Sequence, residues 1–346
     1  MSRYAIIFGG ESYEHEISIV SAITIKDVLK SDLVFIFCDD RHTFYLINEK
    51  DMKAKYFSSM GYKKSKELSL KKGGFYKKTF LKEKIVEFDI AINLIHGKDG
   101  EDGTISSLLD FYDISYIGPR VEGCCISYDK HFTKLYAKSK NVDILPYEIL
   151  NKSSDRVIDM DYPIIIKPLR LGSSIGLSVV KDEKELDYSL DVAFEFDDDV
   201  LIEPYYENIK EYNIAGIKSK NGYIFSMIEE PKKSGILDFD KKYLDFSRSE
   251  GASKAVLSEE MKEKIYSSFK RVYGELFNGA IMRCDFFIKD DTIYLNEINP
   301  VPGSLANYLF EDFNAIVEEI SLNLPKKRKI SVGYRYINSI NVAKGK

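Results

Sequence analysis

Strand-like and helix-like hydrophobic patterns alternate along the first third of the chain. Residues 4–8 predict a strand, 16–30 an amphipathic helix, 33–38 a second strand and 88–94 another, the pattern of a parallel sheet covered by helices. Residues 49–84 are Lys-rich and poorly periodic, which predicts an excursion with a short hairpin or helix. Tyr116-Ile-Gly-Pro119 closes this unit with a short strand and a turn. From about Gly123 the pattern shifts to a helix over 128–140, a strand over 163–167, a small-residue loop over 168–176, a strand over 177–180, a helix from near Glu183 and a strand over 200–203. The remainder opens with a strand over 211–217 and places a helix over 258–277. Two alternating runs then flank Asp290-Asp291 and predict a hairpin.

Composition narrows the class. A chain of 346 residues with 44% apolar content buries a large core and has room for two or three domains. No apolar run approaches the ~20 residues of a membrane helix, and Met1-Ser-Arg-Tyr-Ala-Ile-Ile-Phe-Gly-Gly reads as a first strand, not a signal peptide, so a cytoplasmic protein with no membrane partner is expected. The net charge of -5 comes from a near-even mixture of 50 basic and 55 acidic residues, which argues against nucleic acid as the main partner. Lys63-Lys64 and Lys71-Lys72 read as solvated loop faces. Cys38, Cys124, Cys125 and Cys284 show no Cys-x-x-Cys spacing, and His15, His42, His96 and His131 make no pair at helical spacing, so neither a disulfide framework nor a zinc site is expected.

The predicted hairpin concentrates the chemistry. Arg283 and Asp285 share one strand face, Glu297 and Asn299 share a face of the return strand, and Asp285 falls opposite Glu297 to within one residue of register. Two carboxylates and an amide oxygen beside a guanidinium form an oxygen-only set suited to Mg²⁺ bridging phosphates, rather than to zinc or iron. A lone acidic pair on a strand is more often a wet hairpin face. Here Asn299-Pro-Val-Pro-Gly303 adds a rigid loop beside the carboxylates.

Other segments carry weaker signals. Lys167 ends an apolar strand before Gly172-Ser-Ser-Ile-Gly176, where small residues let backbone N–H groups approach phosphate oxygens; a glycine hairpin with an incidental lysine reads equally well. No Walker loop is present. Glu203-Pro-Tyr-Tyr suits a hinge whose carboxylate and backbone read an adenine edge, or an ordinary strand end. Gly9-Gly-Glu-Ser-Tyr-Glu-His-Glu-Ile-Ser18 follows strand one, at the carboxyl end where open sheets bind ligands. Glu14 there is a ligand for a substrate ammonium or a plain helix cap, and the absence of Gly-x-Gly-x-x-Gly argues against a nicotinamide dinucleotide. His96-Gly-Lys-Asp-Gly-Glu-Asp-Gly103 suggests a substrate-shaping turn.

Taken in order from Gly9 to Leu309, these motifs resemble the D-alanine:D-alanine ligase family of the ATP-grasp superfamily. The resemblance implies a three-domain α/β fold: a Rossmann-like parallel sheet over 1–122 that binds substrate, then two α+β domains over 123–206 and 207–346 that grip ATP. It implies a cytoplasmic enzyme of peptidoglycan precursor synthesis, with D-alanine and ATP as substrates, Mg²⁺ replaceable by Mn²⁺, and a homodimeric assembly. Carried over residue by residue, it places Glu14 on the first D-alanine's ammonium with His96 nearby. Lys130 and Lys167 contact the nucleotide, Ser173 and Ser174 line the phosphate loop, Glu203 and Tyr205 read adenine, and Glu211 holds ribose. Asp285, Glu297 and Asn299 are the metal ligands, and Arg283 with the Gly303 amide is the oxyanion-stabilising pair. A mobile lid over 237–243 brings Lys242 to phosphate and Tyr243 to Glu14 and Ser173. Family members that accept D-lactate second typically lack this tyrosine, which favours the dipeptide.

Three departures stand out. Ser106-Ser107 replaces the family's Gln-Gly pair, the lid begins Leu237-Asp-Phe, and Ser304-Leu305 follows Gly303 more closely than the usual second-substrate Ser-Leu. The rival expectations are a ligase for another pair of D-amino or D-hydroxy acids and a non-catalytic nucleotide-binding module.

Overall fold

Three sheets carry the chain in a computed structural model that describes residues 2–80, 82–231, 252–327 and 330–343. The expected lid over 237–243, including Lys242 and Tyr243, lies outside the described residues.

The first sheet holds β1 (Tyr4–Gly9), β2 (Leu33–Cys38), β3 (Phe44–Ile47), β4 (Lys66–Lys71), β5 (Gly74–Lys78), β6 (Glu83–Ile85), β7 (Ile90–Asn93) and β8 (Tyr116–Ile117), in the order β6-β5-β4-β3-β2-β1-β7-β8. β2, β1, β7 and β8 pair in parallel. The apolar run of β1 is buried throughout, as a parallel strand covered on both faces should be. The other four strands are antiparallel, so the expected parallel sheet is only half of a mixed one. The Lys-rich stretch holds both the short helix, Ala54–Ser58, and the hairpin, β4 with β5, that its pattern allows, and the hairpin extends this sheet. Only β6 is an edge strand and it buries no residue; β4 buries Leu68 alone and β5 buries Phe75, so the stretch carries little hydrophobic alternation to read.

The second sheet, β11-β10-β12-β9, is antiparallel throughout and comprises β9 (Glu148–Asn151), β10 (Ile164–Pro168), β11 (Ser178–Val180) and β12 (Asp199–Pro204). Ile164, Ile166, Val200 and Ile202 pack on Leu190 and Phe194 of the helix Leu186–Phe194. The third sheet, β14-β13-β15-β16, comprises β13 (Lys210–Ser219), β14 (Gly222–Phe225), β15 (Met282–Lys289) and β16 (Thr292–Asn299). Its core includes Phe269 and Tyr273 of the helix Glu259–Tyr273, which starts where the Ser258 side chain accepts from Met261 N–H.

Two crossings tie the units together. The helix expected over 128–140 is the second of two, Val121–Tyr128 and Lys130–Ser139, broken at Asp129. Asp129 has extended backbone, and its carboxylate accepts from the N–H groups of His131 and Phe132, so it ends one helix and caps the next. Ala137 of this second helix then packs in the core of the third sheet. In the other direction, Val301, Leu305 and the helix Phe313–Leu322 pack against Tyr4, Ile6 and Phe8 of β1. Phe8→Ala would cost about 3–5 kcal/mol, the usual range for a buried phenylalanine. Among the described residues, no helix is long and apolar enough to cross a membrane.

Candidate active site

The hairpin forms through its two aspartates. Asp290 and Asp291 both have left-handed backbone (φ 50° and 57°), as a two-residue turn between right-twisted strands requires. The ladder pairs Arg283 with Asn299 and Asp285 with Glu297; it then skips Asn296, because Phe286 pairs with Leu295. This bulge re-aims Asn296 so that its Oδ1 lies 3.4 Å from Lys167 Nζ on the second sheet. Arg283 donates twice to Asp285, at 2.7 and 2.8 Å, and Asn299 Nδ2 donates to Asp285 Oδ2 at 3.0 Å. Burial works against the Arg283 charge, but Asp285 more than offsets it and holds the guanidinium well above its ordinary range. Among the described residues no group of three His, Cys, Asp or Glu side chains is arranged to hold a metal ion. The donor set here is two neighbouring carboxylates and one amide, with no nitrogen or sulfur ligand. It fits a hard cation that keeps water or takes phosphate oxygens, and does not fit zinc.

Glu14 occupies the position before the helix His15–Val28, yet its side chain makes no cap hydrogen bond. Instead its buried carboxylate accepts from Ser173 Oγ of the second sheet's loop. Glycines make room for it: a Cβ on Gly97 (φ +67°) would lie 2.7 Å from Glu14 Oε2, and one on Gly172 3.0 Å from Oε1. Ser173 and Ser174 are themselves left-handed, at φ 56° and 58°. His96 lies beside this carboxylate, its Nε2 3.0 Å from Ser21 Oγ, which in turn accepts from Ser304 N–H at 3.0 Å. That contact reaches the run Ser304-Leu305-Ala306, all left-handed (φ 48°, 53° and 50°), a conformation costing about 1–2 kcal/mol per residue. Burial of Leu305 in the first core opposes the strain.

Charge on this side is short of counter-ions. Burial, then the charge of Glu101, push the Glu14 carboxyl up to about 7, against the Ser173 hydroxyl and His96. Burial and Glu297 push Glu101 up to about 8. Burial lowers His96 to about 4, so the ring is neutral at pH 7 even beside Glu14.

The other side of the cleft is oversupplied with cations. Glu203 on β12 is 1% exposed, and both its oxygens are taken: Oε1 by Lys134 Nζ and Oε2 by Lys167 Nζ at 2.8 Å. Burial alone would raise this carboxyl, but Lys167 and Lys134 hold it at about 2. Lys167 is raised in turn because Glu203 outweighs its burial. Lys130 donates to the carbonyls of Pro168 and Leu171 in the loop, and burial lowers it. Tyr205 N–H donates to Pro163 carbonyl at 2.9 Å, and Lys289 of the hairpin lies over the Tyr206 ring at 4.7 Å. Glu211 sits on β13, and its charge reaches Lys167. Arg170 anchors the base of the loop by donating to Asp129, Asp197 and Asp199 at 3.1, 2.9 and 3.1 Å.

The three sheets thus bring together Glu14, His96, Ser173, Lys130, Lys167, Glu203, Arg283, Asp285, Glu297 and Asn299. Ser304 and Leu305 are drawn into the core, and Lys242 and Tyr243 lie outside the described residues. Sequence reasoning missed Lys134, Glu101 and Arg170. Lys134 stands one helical turn after Lys130, on the face that buries Thr133 and Ala137, and that spacing was the available signal.

Known proteins match over this whole arrangement. Residues 3–119 match the family model "D-ala D-ala ligase N-terminus" and residues 138–314 the model "D-ala D-ala ligase C-terminus". A D-alanine–D-alanine ligase of Nitratiruptor sp. is 58% identical over 342 residues, covering 99% of each chain, and one of Campylobacter lari is 56% identical over 343 residues at the same coverage. The crystal structure of the D-alanine–D-alanine ligase from Helicobacter pylori superposes with a TM-score of 0.85 at 48% identity, over 95% of this chain and 100% of that one. Sequence and architecture agree from β1 to the last strand of the hairpin, and the chain belongs to the D-alanine–D-alanine ligase family, with its ATP-grasp architecture.

Proposed function

We propose that this chain joins two D-alanines into D-alanyl-D-alanine at the expense of ATP, through a D-alanyl phosphate, and so supplies a peptidoglycan precursor. The observation that carries this reading is the convergence of a buried, cation-poor carboxylate, Glu14, with a phosphate-type loop at Ser173 and an Arg283–Asp285–Glu297 hairpin, each from a different sheet. A zwitterionic amino acid fits that setting: its ammonium supplies the counter-ion Glu14 lacks, and its carboxylate lies toward the cationic side.

The residues divide the work accordingly. Glu14, with His96 beside it, holds the first D-alanine so that its carboxylate oxygen faces the γ-phosphate. Lys130, Lys167 and Ser174 take phosphate oxygens, while Glu203 and the Tyr205 backbone hold adenine and Glu211 the ribose. Asp285, Glu297 and Asn299 would hold Mg²⁺, or Mn²⁺ in its place, which when bound offsets phosphate charge. Ser173 keeps Glu14 in place. Arg283, fixed by its two bonds to Asp285, and the Gly303 amide stabilise the oxyanion formed when the second amine attacks the acyl phosphate. Ser304 and Leu305 contact the second D-alanine through the turn they form, and Lys242 and Tyr243 close the site against water that would hydrolyse the acyl phosphate. We assign 1–122, 123–206 and 207–346 as the three domains of a cytoplasmic homodimer.

Phosphate release by the purified chain with Mg·ATP and D-alanine, L-alanine or D-lactate, with product followed by mass, tests the reading. Release that requires D-alanine and equals the dipeptide formed is expected. ATP turnover only with another acid overturns it.

A further inference from the structure

Lys134 is 2% exposed and is the one lysine among the largest fully buried side chains of the described residues. Its ammonium donates to Glu203 Oε1 and lies 5.4 Å from the Tyr147 ring, with the charges of Lys167 and Lys130 also reaching it. Lys130, four residues earlier, reaches the loop carbonyls instead, so the same helical face sends one lysine to the phosphate loop and one behind the hinge carboxylate. Glu203 is thus held by two lysines of different standing. Lys167 lies between the second and third sheets, with Glu203 Oε2 at 2.8 Å and Asn296 Oδ1 at 3.4 Å, and its side chain keeps 12% of its surface exposed. Lys134 is sealed behind Glu203.

We propose that Lys134 is a positioning residue for the nucleotide base: it is the permanent counter-ion of Glu203, keeps that carboxylate a pure acceptor after Lys167 turns to phosphate, and so selects a base that presents an amine at this edge over one that presents a carbonyl. This rests on the adenine-reading role given above to Glu203. A carboxylate with no proton to give accepts from the adenine amine and repels the guanine carbonyl oxygen, whereas a protonated one would tolerate both. The carboxyl, held at about 2 by the two lysines together, is consistent with that role. With Lys134 removed, Glu203 has no cation once Lys167 turns to phosphate, and a buried carboxylate in that position takes up a proton.

The test is the ratio of kcat/KM for ATP over GTP in wild type, Lys134→Met, Glu203→Gln and the double variant, in the full chain with D-alanine. Wild type should prefer ATP, and Lys134→Met should lower the ratio by about tenfold or more, with KM for ATP rising more than kcat falls. Lys134→Arg should restore much of the preference. The double variant should be no less selective than Glu203→Gln, because Lys134 acts through that carboxylate. If Lys134→Met does not fold, the double variant, which leaves no unpaired carboxylate, still gives this comparison with Glu203→Gln, and a further fall in the ratio overturns the proposal. A folded Lys134→Met that loses kcat alone, with the ratio intact, also overturns it. A wild type without ATP preference, or a Glu203→Gln variant with the ratio intact, overturns the adenine reading itself.

Discussion

Two buried carboxylate neighbourhoods of the candidate site are charged in opposite ways. At the hinge, one carboxylate, Glu203, has two lysines, and its carboxyl is held at about 2. At the end of the first sheet, Glu14 and Glu101 lie on a neutral histidine, with a serine hydroxyl on Glu14 alone, and are pushed up to about 7 and 8. All are glutamates removed from water, so burial alone would raise each of them. The supply of cations decides the direction, and it marks what each site awaits: the hinge is complete without a charged ligand, whereas the substrate end lacks a cation that a ligand must bring.

The largest expected break in this contrast is Glu14→Gln. It removes the negative charge that pairs with the substrate ammonium, and kcat/KM for D-alanine should fall by about 10²–10³-fold while KM for ATP stays near wild type; steady-state kinetics with each substrate varied decide it. Equal losses for both substrates would mean that the two neighbourhoods are not separate. Next is Glu297→Gln. The Mg²⁺ concentration for half-maximal rate should rise by about 10–100-fold, and since Glu297 pushes Glu14 and Glu101 upward, the pH midpoint of D-alanine use should move down. A smaller effect is expected of Gly97→Ala, whose Cβ meets Ser12 Oγ at 2.5 Å and Glu14 Oε2 at 2.7 Å on backbone of φ +67°. Displacing the carboxylate should raise KM for D-alanine by about tenfold with little change for ATP.

Much of this site was legible because its elements carry local signals. Alternation and the Asp290-Asp291 turn fix the hairpin, and with it the Asp285–Glu297 pairing. The glycines near Lys167 and Glu14 mark the two loops that meet. Charge balance was not legible, because it depends on residues from different sheets. Lys134 looks like any lysine of an amphipathic helix until β12 brings Glu203 over it, and Glu14 reads as a cap until the second sheet delivers Ser173. The mixed character of the first sheet was hidden for another reason: β6, the edge strand, buries nothing, and β4, two strands further in, buries only Leu68, so neither shows a strong apolar face.

The most direct measurement of the contrast is KM for D-alanine and for ATP across pH 6–8. Glu14 accepts an ammonium only when ionised, and its carboxyl is raised to about 7, so the competent fraction falls as pH drops through that value. Glu203 stays ionised over the whole range. KM for D-alanine should therefore rise by roughly five- to tenfold between pH 8 and pH 6, as expected for one group titrating near 7, while KM for ATP stays flat. A D-alanine KM independent of pH, or an equal rise for both substrates, would contradict the account.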